Sequence, residues 1–442
     1  MRDNNRRIQK EGAVMSGIPR CRMVIGLFWG DEGKAKAIDV LGEDADIVAR
    51  YGGGANAGHT VNFEGQKYVF HQVPTGLLRE DVSGVIGAGM VLDLPALTAE
   101  IRELNSRGKE VISRLLISPR AHIVTVLHKK LEKLQEKIQG IGTTFRGIGP
   151  TYADKAARRG IRVGNLVTGE GLTASVAAMI EFYRPVFEAN GEAPPTEDEI
   201  LEPLMATKPM ISEIVGDVSE YLTESMHNGR SLLIEGAQGA MLDIDWGTYP
   251  FVTSSSTSLS GVASGLGIDP RKIEEIVGMV KAFTTRVGNG PMPTELNGPE
   301  AEKLRGTGEN QWDEFGATTG RPRRCGWLDG FILSTICKRW GVDKLFLTKL
   351  DVLDGLDEIN LCSAYKLDGK VCRNYPDSSV KLARVEPVYE GLDGWSESVT
   401  ATKCFEELPE NARYYIKRIE QIAGCPTGWI SIGPDRTNTI SR

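Results

Sequence analysis

The 442-residue chain lacks the marks of several protein classes. No apolar run approaches the roughly 18 residues that span a bilayer. The first twenty residues hold no apolar core segment; Arg2, Asp3, Arg6, Arg7, Lys10 and Glu11 make residues 1–22 a polar, disordered tail rather than a secretory signal. The seven cysteines, at 21, 325, 337, 362, 372, 404 and 425, include no Cys-x-x-Cys pair. Scattered and odd in number, they argue against a disulfide frame or zinc site and for reduced thiols in the cytoplasm. There is no excess of positive charge: 52 Lys and Arg against 59 Asp and Glu give −7. That balance argues against nonspecific binding to nucleic acid or to an anionic membrane, so any anionic substrate has to be held by a local cluster.

What is present centres on a glycine-rich stretch at 24–60. A short apolar run, a loop with Gly26, Gly30 and Gly33, and helix-forming residues from Lys34 onward read as strand, phosphate loop, helix. The loop departs from the common phosphate-loop pattern, because Ala35 stands where a Ser or Thr supplies a hydroxyl to Mg2+. Asp31 is the obvious replacement, since Mg2+ takes one or two carboxylates plus phosphate oxygens. A glycine-rich turn with a solvated acidic pair is the plain alternative. Against it stand Gly52, Gly53, Gly54, Asn56, Gly58, His59 and Thr60, which suit a backbone lying against a bulky ligand. His59 is placed to donate to a phosphoryl oxygen or act as an acid.

From residue 23 to the end, short apolar runs alternate with helical patterns, which predicts a single large α/β domain with a central, mostly parallel twisted sheet and helical insertions. Strands are expected at 46–51, 84–87, 114–118, 231–234, 274–284, 345–347 and 429–431, with a hairpin at 61–70. Helices are expected near 95–106, at 126–139, at 153–159, across 172–228 with a break at 191–195, and at 409–423. Residues 376–396 read as a long polar loop region. Gly-, Thr- and Arg-rich loops occupy 142–152, 235–239, 249–257 and 316–327. In the last, Arg321, Arg323 and Arg324 form a dense donor set for carboxylate or phosphate, with a basic solvated face as the plain alternative. Past the apolar run 345–347, Lys349 and Asp351 suit guanine: the carboxylate can accept from N1–H and the 2-amino group, which adenine cannot offer.

At this point the text resembles the adenylosuccinate synthetase family. The motifs are Trp-Gly-Asp-Glu-Gly-Lys (29–34), Asn-Ala-Gly-His-Thr (56–60), Gly-Thr-Thr-x-Arg-Gly-Ile-Gly-Pro (142–150), Glu-Gly-Ala-Gln-Gly (235–239), Gly-Ala-Thr-Thr-Gly-Arg-x-Arg-Arg (316–324), Thr-Lys-Leu-Asp (348–351) and Gly-Pro-Asp-Arg (433–436). The resemblance implies a homodimer and the GTP-dependent ligation of IMP and L-aspartate to adenylosuccinate, through a 6-phosphoryl intermediate. It implies Asp31 as the base on N1 of IMP and as a Mg2+ ligand with the Gly58 carbonyl, His59 as the acid, and Lys34 and Gln238 as further catalytic groups. GTP would meet Gly30, Glu32, Gly33, Lys34, Ala35, Lys36, Gly58, His59 and Thr60, with Arg323 touching it as well. Its base would lie among Lys349, Leu350, Asp351, Ser431, Ile432 and Gly433. IMP would contact Asp31, Asn56, Ala57, Gly58, His59, Thr144, Gln238, Thr253 and Arg321, with Arg158 reaching across from the other subunit. Aspartate would be taken by Ala317, Thr318, Thr319, Arg321 and Arg323.

Phe28 and Phe145 depart from the family's usual residues and leave the preference among purine nucleotides open. Two rival classes are a GTP-driven switch, which has no use for Arg321, Arg323 or a second nucleotide pocket, and an inactive member, against which the joint presence of Asp31, Lys34 and His59 argues.

Overall fold

In a computed structural model, residues 20–442 are described, apart from Ala57, Glu64, Gln311 and residues 317–319. A nine-stranded sheet organises them. Its strands are β1 (Cys21–Gly26), β2 (Ile47–Arg50), β3 (Ser83–Ile86), β4 (Leu115–Ile117), β5 (Leu232–Glu235), β6 (Glu275–Lys281), β7 (Lys344–Thr348), β8 (Thr427–Ser431) and β9 (Thr439–Ser441). They lie in the order β9-β8-β7-β6-β1-β5-β2-β3-β4. All pairs are parallel except β8 with β9. Every residue of β1, β2, β5 and β6 is buried, as expected of parallel strands covered on both faces, whose sequences read as continuous apolar runs.

Two large apolar clusters flank the sheet. One gathers β1, β6 and β7 with the carboxyl-terminal helices; the other gathers the helices Leu94–Ser106, Val126–Gln139, Leu172–Ala189 and Glu197–Glu213. Most expected elements occur with small shifts at their ends; the helical insertion expected across 172–228 breaks a second time at 214–217, and the strand expected at 274–284 ends at Lys281. The hairpin is His59–Phe63 with Gln66–Phe70; its Glu64 lies outside the described residues. β1 begins at Cys21, so the strand takes in the last two residues assigned to the polar tail; residues 1–19 lie outside the described residues.

Two expectations are corrected. The helix expected at 153–159 is Ile148–Ala156: Gly147, at φ 76°, opens it, and Pro150 falls in its first turn, where a missing N–H costs nothing. The polar loop region expected at 376–396 contains a ten-residue strand, Glu386–Trp395, paired antiparallel with Leu356–Leu367 in a small second sheet. Pro387, Gly391 and Gly394 dilute its β signal, and its partner alternates buried and exposed residues among charges.

β1, β5, β6 and β7 all aim their carboxyl ends at one place, the crevice where open α/β sheets put ligands.

Candidate functional site

A cleft of about 530 Å3 opens over those strand ends. Between β1 and the helix Lys34–Leu41 the chain makes the predicted loop. Gly30 and Gly33 have φ of 83° and 89°, and the helix has no side-chain cap, so its first N–H groups point at the cleft. Glu32 holds the loop from inside: one carboxylate oxygen accepts from the N–H of Phe28 (3.1 Å) and Gly30 (2.9 Å), the other from Lys34 Nζ (2.7 Å). A Cβ on Gly26 would sit 2.3 Å from that carboxylate, so glycine is required there. Phe28 is packed in the core and does not line the cleft.

Asp31 stands in the left-handed region, φ 60°, with its side chain 35% exposed. Its Oδ2 accepts from Arg323 Nε at 2.7 Å. Burial pushes this carboxyl up, Glu314 adds to that push, and the Arg323, Lys281 and Lys34 cations outweigh both, holding it below its ordinary value. Among the described residues six non-glycine residues have positive φ, and four of them are predicted site residues: Asp31, Arg158, Gln238 and Lys349. Such backbone costs of order 1–3 kcal/mol per residue and concentrates at functional sites.

His59 donates or accepts through Nδ1 at 2.8 Å from Glu235 Oε1. The other oxygen of Glu235 accepts from the Thr75 N–H (3.0 Å) and hydroxyl (3.1 Å). Glu235 is 1% exposed, at the end of β5. Burial lowers the imidazole pKa, Glu235 opposes this, and the net direction is down. The carboxylate fixes the ring and leaves Nε2 as its second functional nitrogen. Gln238 donates to Asn56 Oδ1 at 3.0 Å, and its own Oε1 is buried without a hydrogen-bond partner.

At the far end, Lys36 donates to Ser431 Oγ (2.7 Å), the Gly433 carbonyl (2.8 Å) and the Asn438 carbonyl (3.1 Å). Burial pulls its pKa down to about 8 against the pull of Asp351, Asp435 and Asp39. Burial raises Asp351, partly offset by Lys349 and Lys36.

Most predicted residues come together here: Gly30, Asp31, Glu32, Gly33, Lys34, Ala35, Lys36, Asn56, Gly58, His59 and Thr60 line the cleft from one side. Thr144, Gln238, Thr253, Arg323, Lys349, Asp351, Ser431 and Gly433 line it from the others. The side chains of Leu350 and Ile432 are in the core, so only their backbone can face a ligand. Arg158 and Arg321 are exposed and outside this lining, and Phe145 is exposed beside it. Ala57, Ala317, Thr318 and Thr319 lie outside the described residues. Sequence reasoning missed Glu235, Glu314, Lys281 and Arg286, all buried. Lys281 had a signal, being a charge closing an apolar strand at the sheet's ligand-binding edge; Glu314, inside an irregular segment, had none.

A sequence profile described as adenylosuccinate synthetase matches residues 23–440. The chain belongs to the adenylosuccinate synthetase family. It is 46% identical over 424 residues to the adenylosuccinate synthetase of Halorhodospira halophila, covering 95% of this chain and 98% of that protein. A Geobacillus adenylosuccinate synthetase is 45% identical over 421 residues, covering 94% and 97%. Among solved structures, fully ligated adenylosuccinate synthetase from Plasmodium falciparum superposes with TM-score 0.90 at 40% identity, over 96% of this chain and 100% of that one. A cyanophage S-2L succinoaminodeoxyadenylate synthetase shares the fold alone, with TM-score 0.62 at 20% identity over 96% and 95%. The chain is therefore a ligase of this family, which joins IMP and L-aspartate at the expense of GTP, and the switch reading is not favoured. Among the described residues no helix is long and apolar enough to cross a membrane.

Proposed function

We propose that the cleft carries out the family's two steps with the following division of labour. Asp31 takes the N1 proton of IMP, which raises the charge on O6 and lets that oxygen attack the γ-phosphorus of GTP. GDP leaves, and the C6–O bond now ends in phosphate. The amine of aspartate then attacks C6 and gives up a proton to solvent as the C6–O bond breaks, and inorganic phosphate departs with the former exocyclic O6. His59, oriented by Glu235, donates to the phosphoryl group, and Lys34 neutralises its charge. Asn56, Thr144, Gln238 and Thr253 hold IMP; the buried, unpartnered Oε1 of Gln238 supports a donor from that ligand. Lys349 and Asp351 with Ser431 and Gly433 surround guanine, and Arg321 and Arg323 take the two carboxylates of aspartate.

Among the described residues no three His, Cys, Asp or Glu side chains cluster as a metal cage. That suits Mg2+ rather than a protein-caged ion, because Mg2+ keeps few protein ligands and completes its shell with phosphate and water oxygens. The Asp31 carboxylate and the Gly58 carbonyl, both lining the cleft, would hold it. When bound it supplies charge neutralisation at the phosphates. Arg158, exposed, in left-handed backbone and outside its own chain's cleft, supports a homodimer in which it completes the partner's IMP site. Residues 23–442 act as one catalytic unit, and free thiols among the described residues support a cytoplasmic enzyme.

The observation that carries this reading is the gathering of Asp31, Lys34, His59, Gln238, Arg323, Lys349 and Asp351 around one cleft. The test uses IMP labelled with 18O at C6, together with aspartate, GTP and Mg2+. Label recovered in inorganic phosphate, with release requiring all three substrates, supports the assignment; unlabelled phosphate rejects it.

A further inference from the structure

Residues 314–316 and 320–323 pair as the neck of a hairpin; residues 317–319 between them, part of the segment proposed to receive aspartate, lie outside the described residues. The neck is tied by the Arg323 N–H to the Glu314 carbonyl (2.8 Å), by the Gly316 N–H to the Arg321 carbonyl (2.9 Å) and by an antiparallel bridge between Phe315 and Pro322. The Glu314 side chain lies at that neck and is 1% exposed. Its Oε2 accepts from Arg323 Nη1 (2.6 Å) and Lys281 Nζ (2.7 Å), and Lys349 Nζ lies 3.3 Å from Oε1. Burial pushes this carboxyl up, and the three cations override it and hold it far below the ordinary carboxylate range. The cations come from different elements: Lys281 ends β6, Arg323 belongs to the hairpin, and Lys349 follows β7 into the guanine segment.

The two ends of Arg323 are therefore held by different carboxylates. Nη1 is on Glu314, deep and buried; Nε is on Asp31, at the cleft surface. A planar guanidinium with five donors can exchange one carboxylate for another while its remaining donors stay in place. Asp31 is also the group that has to be released to meet N1 of IMP.

We propose that Glu314 is a positioning residue for aspartate capture: it registers the paired residues 314–316 and 321–323 against β6 and the guanine segment, and keeps Arg323 in place while the carboxylate of aspartate displaces Asp31. Glu314 touches no substrate in this arrangement. The inference rests on the placement of aspartate at Arg321 and Arg323 given above.

The experiment measures kcat, the KM of each substrate and the melting temperature for Glu314→Gln, Glu314→Asp, Arg321→Leu and the double variant Lys281→Met/Glu314→Gln. Removing Glu314 alone leaves buried cations uncompensated and endangers folding, whereas the double variant removes one charge of each sign. Expected are a rise in aspartate KM of roughly 30-fold or more in Glu314→Gln and in the double variant, an IMP KM within about threefold of wild type, and partial recovery in Glu314→Asp. Equal rises in both KM values, or a double variant with wild-type aspartate KM, would overturn the proposal alone. An Arg321→Leu enzyme with unchanged aspartate KM would overturn the placement of aspartate itself, and the proposal with it.

Discussion

Replacing Glu235 by Gln perturbs the His59 ring without changing the shape of its support. In the wild type one carboxylate serves three partners: His59 Nδ1 at 2.8 Å, the Thr75 N–H at 3.0 Å and the Thr75 hydroxyl at 3.1 Å. A glutamine has one oxygen and one NH2 in the same space, so either His59 or the Thr75 N–H faces a donor. It also removes the charge that favours the doubly protonated ring as phosphoryl charge builds beside Nε2. A hydrogen bond to a charged group contributes about 1.5–3 kcal/mol, and each 1.4 kcal/mol is tenfold in rate, so kcat should fall by roughly 10- to 100-fold. The GTP KM should move less than about threefold, because the lost interaction strengthens only in the transition state. Thr75→Val removes one hydrogen bond to the same carboxylate but keeps its charge and its bond to His59; its kcat should stay within about fivefold of wild type. Steady-state phosphate release at saturating IMP, aspartate and GTP measures all three enzymes. A Glu235→Gln enzyme with kcat within twofold of wild type, at an unchanged melting temperature, would refute the coupling of Glu235 to His59.

Asp31→Ala should lower kcat by several orders of magnitude in the same assay; near wild-type turnover would remove Asp31 from the role of base. Asp351→Asn should weaken the preference for GTP over ITP by roughly 10- to 100-fold in kcat/KM, and an unchanged ratio would dismiss the proposed base contact. Asp329 gives a pH prediction. Burial lifts its carboxyl from 3.8 to about 6, although the Tyr365 hydroxyl and the Ile332 N–H donate to it. The folded state therefore binds the proton more tightly than the unfolded state, and this group's contribution to stability declines as pH rises from about 4 to 6. At 1.36 kcal/mol per pKa unit the decline is at most about 3 kcal/mol. Asp329→Asn, which keeps the oxygen that caps the helix Gly330–Trp340, should lose that part of the decline between pH 4 and 7 in thermal melts. Identical pH slopes for the two proteins would count against it.

The parallel sheet was legible because its strands are buried on both faces, and a continuous apolar run such as 345–347 needs no partner to be recognised. The strand Glu386–Trp395 was not, since only pairing with Leu356–Leu367 makes its Pro, Gly and charged residues compatible with a sheet. The candidate site divides in the same way. Asp31 and His59 sit in short segments whose glycines and polar side chains are poor core material, and Lys349 with Asp351 puts charge just past an apolar strand, so their chemistry shows locally. Glu235 and Glu314 are held by partners 176 and 9 residues away; Glu235 had a signal in closing an apolar strand inside the 235–239 motif, whereas nothing around Glu314 distinguishes a buried carboxylate from a solvated one. Phe28 misled in the opposite direction: it departs from the family pattern immediately before the 29–34 motif, yet its ring belongs to the core and its N–H to Glu32.

These buried carboxylates also explain how an enzyme of net charge −7 keeps cations ready for three anionic substrates. A lysine buried without a counter-charge shifts toward neutrality. Lys34 is paired with Glu32, and Lys281, Arg323 and Lys349 share Glu314, which opposes the downward push of burial on Lys281. Lys36 bonds neutral oxygens among the described contacts, and burial pulls its pKa down to about 8 against the more distant Asp351, Asp435 and Asp39. In the mechanism proposed above, arriving phosphates and carboxylates would replace protein carboxylates on cations that are already positioned. Asp31 differs from Glu32 and Glu314 in being partly open to the cleft, and among the described residues its side chain has a short hydrogen bond to Arg323 alone. It is the carboxylate that substrate can set free at least cost, which is what a base on the purine ring requires.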